Sequence, residues 1–170
     1  MPRYLSFQKK DMNFIVRKST SEDMPPVLAL IKELATFEKA PDEVEMTSEL
    51  LAKEGFGENP IFNCFVVENN SEIIGMALVY LRFSTWKGRS LHLEDLIVKE
   101  SMRGKGIGKA LYTKVMEYAF ENHFKRVEWA VLNWNVEAIK FYEQTGANVM
   151  KDWYIAQMNE AGIKKYLENL

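Results

Sequence analysis

A chain of 170 residues that is 47% hydrophobic and 27% charged has the size and balance of one globular domain, which excludes disordered and fibrous classes. Its 22 Lys and Arg against 24 Asp and Glu leave a formal charge of −2, too even for a global attraction to nucleic acid or an anionic membrane, so any anion site must be local. The single cysteine, Cys64, cannot form an internal disulfide and reads as a core thiol between Phe62 and Phe65. Two histidines, His92 and His123, give a metal site little to build with, and each reads as a surface or half-buried residue. No apolar run approaches the roughly 20 residues of a membrane span, and Met1-Pro2-Arg3-Tyr4 lacks a secretory core. The expectation is a cytoplasmic, metal-free protein with no nucleic-acid or membrane partner.

In chain order, residues 1–12 read as an N-terminal extension, with Met12 an alternative start, and residues 13–170 as a single domain. Asn13 to Lys18 is a short strand. Ser19 to Asp23 supplies cap chemistry for a helix over residues 21–38, where Val27, Leu28, Leu30, Ile31, Leu34 and Phe37 recur at helical spacing and Pro25 and Pro26 fit only the first turn. Ala40-Pro41-Asp42 interrupts it, and Thr47 to Lys53 forms a second short helix. Ile61 to Glu68 and Glu72 to Arg82 are strands joined by Asn69-Asn70-Ser71, a hairpin turn. Ser84 to Arg89 is a loop, in which Lys87 and Arg89 beside Trp86 suit either an exposed turn or a carboxylate contact.

Ser90 to Lys99 reads as a strand whose alternation puts Leu91, Leu93, Asp95 and Ile97 on one face and His92, Glu94, Leu96 and Val98 on the other, which parts Asp95 from Glu94 unless a bulge breaks the pattern. After it, Ala110, Leu111, Val115, Met116, Ala119 and Phe120 form a helical stripe over residues 109–121. Arg126 to Leu132 is a further strand and residues 135–145 a helix, closed by Gly146. Asp152 to Met158 reads as a last strand, followed by a short helix. The order implies a mixed α/β sheet.

The most telling stretch is Arg103-Gly104-Lys105-Gly106-Ile107-Gly108, where a strand ends and a helix begins. Bare N–H groups at a helix start, flanked by Arg103, Lys105 and Lys109, suit an anion such as a pyrophosphate. A Walker A loop fails at both ends, because Arg103 stands five residues before Gly108 and Ala110 follows Lys109. The spacing Gly104-x-Gly106-x-Gly108 also misses the dinucleotide fingerprint.

This strand, turn and helix, the strand at 126–132 and the Asn135 helix bearing Phe141-Tyr142 together resemble the GNAT family of acetyl-CoA-dependent N-acetyltransferases. The likeness spans most of the chain. Within the family it is nearest to the spermidine/spermine and thialysine acetyltransferases, through residues 34–39 (LATFEK), 55–60 (GFGENP), 84–89 (STWKGR), Leu93-Glu94-Asp95 and Trp134-Asn135. The resemblance implies a mixed, mostly antiparallel central sheet flanked by helices, acetyl-CoA as co-substrate and a homodimer.

It also implies roles. An alkyl ammonium with a pKa near ~10.4 must lose a proton before it can attack a thioester, which asks for a base. Glu94 is the candidate base and amine contact, directly or through water. Tyr142 matches the family's acid, able to protonate a departing thiolate, and packing is the bland alternative. Leu96, Ile97 and Val98 offer backbone to the pantetheine arm in the manner of an added strand. Arg103 to Lys109, including Ile107, hold the pyrophosphate. Asn135 is a cofactor contact, a helix N-cap, or both. Phe37 and Glu38 match amine-contacting positions. The expected reaction is direct acetyl transfer to a primary amine of a polyamine or lysine-like substrate. The competing readings are acetylation of a protein lysine or N-terminus and a catalytically silent CoA-binding module.

Overall fold

The computed structural model describes residues 5–9 and 12–170; positions 1–4 and 10–11, part of the expected N-terminal extension, lie outside the described residues. Among the described residues the strands are β1 (Leu5–Lys9), β2 (Met12–Lys18), β3 (Asn63–Asn69), β4 (Glu72–Ser84), β5 (Gly88–Val98) and β6 (Val127–Glu128). They form one sheet in the order β1-β2-β3-β4-β5-β6, antiparallel at every step except the parallel pair β5 and β6. The helices are α1 (Met24–Phe37), α2 (Ser48–Phe56), α3 (Ile107–Glu121), α4 (Val136–Gln144) and α5 (Glu160–Glu168). The chain divides into two compact units, Met1–Ala130 and Val131–Leu170.

In the first unit the sheet is covered on both faces. One face packs Phe65, Val67, Ala77, Val79, Leu91, Leu93 and Val98 against Ile107, Ala110, Leu111, Val115 and Ala119 of α3. The other packs Val66, Met76, Leu78 and Ile97 against Met24, Val27 and Leu30 of α1 and Leu51 of α2. The expected stripe of α3 needs one correction. Phe120 is 84% exposed, and the buried row gains Tyr112 and, because the helix begins two residues earlier than expected, Ile107. Asp23 anchors the start of α1. Its carboxylate accepts from the Thr20 N–H and from Arg17, whose Nε also donates to Glu68 on β3.

Two expected strands shrink. The 126–132 strand keeps only Val127 and Glu128, which pair with Leu91 and His92 before the chain leaves β5. Asp152 to Met158 forms no strand: Trp153, Tyr154 and Ile155 are exposed, and the second unit offers no other strand to complete a ladder. The segment 5–9, expected as extension, instead pairs with β2 as an edge strand.

Candidate active site

The register of β4 against β5 decides which side chains meet. Leu81 faces Leu91 and Val79 faces Leu93; the next pair is Leu78 with Asp95, so Glu94 is an extra residue with no partner on β4. Cross-strand partners share a face, and Val79 and Leu93 lie on the α3 side while Leu78, with Met76 and Ile97 beyond it, lies on the α1 side. The bulge therefore inverts the alternation. Asp95 and Ile97 turn to the α1 face, and Leu96 and Val98 to the α3 face, which corrects the strict two-faced reading of this strand.

As a result Asp95 does not point away from Glu94. It joins His92, paired across from Tyr80, on the face where α1 ends at Phe37 and Glu38. Burial pushes the Asp95 carboxyl up to about 6, with further lifts from the negative charges of Glu94 and Glu38. Burial also raises Glu38. Between its ordinary value of 3.8 and about 6, the folded protein holds a proton on Asp95 that the unfolded chain has released, so this group's contribution to stability falls as pH rises through that window. A like-charged group left ionised among carboxylates is a standing demand for a cation. Glu94 itself is half exposed; burial and then its charge raise the Tyr80 hydroxyl, and His92 Nε2 lies 3.5 Å from its carboxylate.

Beyond His92, β5 pairs with no strand on the β6 side among the described residues, so Leu93 to Val98 form a one-sided edge. The glycine turn follows directly. Gly104 at φ +75° and Gly106 at φ +85° occupy left-handed backbone, and a Cβ on either would meet nothing within 4 Å. Gly106 is the N-cap of α3 and has no side chain to accept the first-turn N–H groups. Arg103 and Lys109 are exposed and Lys105 half-buried beside this open space; Gly108 is helical and has ordinary contacts with Val98 and Leu96. A cradle of positive backbone ends with open space above it and basic side chains around it fits a pyrophosphate, and the free edge of β5 fits an extended amide-bearing arm. Arg103 also reaches sideways: its Nε donates to Val98 O at 3.2 Å and its guanidinium stands 5.2 Å from the Phe37 ring, tying the turn to the end of α1.

The remaining expected residues lie in the second unit. Asn135 is the N-cap of α4, its Oδ1 accepting from the Ala138 N–H at 3.3 Å. Tyr142 is half-buried on α4, its ring 5.5 Å from that of Phe141. Elsewhere, the loop expected over 84–89 contracts to residues 85–87, because Ser84 pairs with Gly88 and Phe83 with Arg89; Trp86 at its tip is 81% exposed, and Arg89 stacks on Phe124. Glu128 faces Arg82 and Arg126 at 2.8 and 2.9 Å. Burial pushes the Cys64 thiol up to about 12, which denies it a thiolate at neutral pH. Among the described residues no group of three or more His, Cys, Asp or Glu is placed to hold a metal, and no helix is long and apolar enough to cross a membrane.

Sequence reasoning admitted Asp95 beside Glu94 only if a bulge broke the alternation, which the register now supplies, and it gave Tyr80 no place on this face. A charged residue inside an apolar strand was the available signal, but the bulge that turns it carries no glycine to announce it.

Comparisons with known proteins place the chain in a family. The model of the acetyltransferase (GNAT) family matches residues 27–147. A thialysine N-epsilon-acetyltransferase from Sus scrofa is 39% identical over 141 residues, covering 78% of this chain and 83% of the relative. One of the same name from Caenorhabditis elegans is 35% identical over 159 residues, covering 92% and 98%. Among solved structures, AAC(6')-Iy in complex with the bisubstrate analog CoA-S-monomethyl-acetylneamine superposes with a TM-score of 0.71 at 16% identity, over 86% of this chain and 98% of that one. The sheet, the glycine turn opening α3 and these matches make the chain a member of the GNAT family, an acetyl-CoA-dependent N-acetyltransferase.

Proposed function

We propose that this protein acetylates a primary amine of a small cationic acceptor, thialysine- or lysine-like or a polyamine, by direct attack in a ternary complex. The observation that carries the reading is the face where Glu94, Asp95 and Glu38 converge beside the free edge of β5. Acetyl-CoA supplies an activated acetyl thioester; the turn from Arg103 to Lys109, Asn135 and the backbone of Leu96, Ile97 and Val98 are the groups assigned to hold it. Asp95 and Glu38 attract the ammonium, with Phe37 as an apolar wall. Glu94 takes the proton that frees the nitrogen lone pair for attack, and Tyr142 gives a proton to the leaving sulfur. Tyr142 is assigned by family likeness, together with a homodimeric state and a cytoplasmic location. Cys64, held protonated, offers no covalent route.

A panel of acceptors with acetyl-CoA, read by CoA release, tests this. Diamines, polyamines and thialysine are expected to exceed alkyl monoamines that carry no second charged group in kcat/KM by at least about tenfold, roughly 1.4 kcal/mol of cation recognition. Acetyl-CoA binding without release on any amine would instead mean a silent module, and release confined to lysine-bearing or N-terminal peptides a protein acetyltransferase.

A further inference from the structure

We infer that His92 is the positioning residue for Glu94, its Nε2–H directing the carboxylate toward the acceptor nitrogen. The inference rests on the reading of Glu94 as the base. A bulge residue has no cross-strand partner to fix its side chain, and the Glu94 side chain is 52% exposed, so packing alone leaves its rotamer free. Two groups on the α1 face border it. Burial and then the nearby Glu94 charge raise the Tyr80 hydroxyl, and His92 Nε2 lies 3.5 Å from Glu94 Oε2, at the outer limit of hydrogen bonding.

The imidazole is itself held. Its ring lies 5.0 Å from that of Tyr80, its cross-strand partner, and its side chain is only 16% exposed. The charged and titratable groups around it are Tyr80 and Arg82 on β4, Glu94 on β5 and Glu128 on β6. Burial, reinforced by Arg82, favours the neutral ring over the pull of the two carboxylates. Nδ1 is buried with no hydrogen-bond partner among the described residues. An unpartnered lone pair is tolerated better than an unpartnered N–H, so the partners assign the single proton to Nε2, facing Glu94. A neutral donor orients the carboxylate without neutralising it, which leaves Glu94 able to take a proton; an imidazolium there would compete with the substrate ammonium for the same oxygens.

Two amide substitutions separate positioning from mere filling. In His92→Gln the side-chain amide nitrogen stands where Nε2 was; in His92→Asn it stands where Nδ1 was and cannot reach Glu94. His92→Asn is expected to lose about tenfold in kcat, since small errors in the placement of a reacting group are costly, with KM for acetyl-CoA within about twofold of wild type; His92→Gln is expected to recover to within about threefold. His92→Phe, which fills the ring volume, replaces the Asn protein should that one fold poorly. Equal rates in the Gln and the donor-less proteins, whether both impaired or both normal, overturn the inference. Glu94→Gln measured alongside keeps the layers apart. Loss there with none in His92→Asn removes only the role of His92, whereas wild-type turnover in Glu94→Gln removes the role of Glu94 and this inference with it.

Discussion

Glu94→Gln is expected to lower kcat/KM for amine acetylation by about 10²–10⁴-fold, the usual contribution of a positioned base, while acetyl-CoA affinity stays within about twofold. The magnitude follows from the acceptor. An alkyl ammonium at neutral pH is overwhelmingly protonated, so a protein without a base depends on the rare free amine. That fraction rises about tenfold per pH unit below ~10.4, so raising the pH should recover the variant's rate more than the wild type's. The substitution keeps size and hydrogen bonding at a half-exposed bulge position, so folding should be little affected. Initial rates from about pH 7 to 9 on both proteins check it. An unchanged rate across that range would remove Glu94 from the chemistry.

The second large effect lies at Gly106. Its φ of +85° is left-handed backbone, which costs a β-branched residue about 1–2 kcal/mol or more, and its Cα borders the open space over the start of α3. Gly106→Val therefore either strains the turn or flattens it, and in both cases the first N–H groups of α3 no longer converge on one anion. Acetyl-CoA affinity is expected to fall by about 10–100-fold, with a drop of a few degrees in the melting temperature of the free protein. Calorimetric titration with acetyl-CoA and a thermal melt read the two separately. Undiminished affinity would move the pyrophosphate away from this turn. Gly108 is a contrast within the same motif: its backbone is helical and an added Cβ meets only Val98 and Leu96 at ordinary distance, so Gly108→Ala should cost far less.

Much of this was legible in the sequence because it is written in local chemistry. The glycine turn announced itself through three glycines between an apolar strand and a helical stripe, and the hairpin through Asn69-Asn70-Ser71, where Asn70 and Ser71 both adopt positive φ. The cap role, one of the two readings left open for Asn135, was legible because a cap is a contact between a side chain and a backbone N–H three residues on. What the sequence hid was register. The bulge at Glu94 is set by how β5 pairs with β4 across the hairpin, where Leu93 meets Val79 and Asp95 meets Leu78, and no glycine between Leu91 and Val98 marks the break. One unpaired residue moved Asp95 onto the α1 face and left Glu94 without a cross-strand partner. The overlong strand at 126–132 has the same origin: its apolar residues suit a strand, but only Val127 and Glu128 find a partner.

The decisive property of the face bearing Asp95 is whether it receives a cation. Calorimetric titration of the best acceptor amine into wild-type and Asp95→Asn protein, from about pH 5 to 8, measures that directly. Below about 6 the Asp95 carboxyl of the free protein holds its proton, and an arriving ammonium favours its release. Wild-type affinity should therefore tighten as pH rises through about 6, with protons released on binding in that window, while Asp95→Asn should bind about tenfold more weakly at the upper end and show a flattened pH dependence. Equal affinity in the two proteins at every pH, with no proton release, would contradict the assignment of this face to the amine.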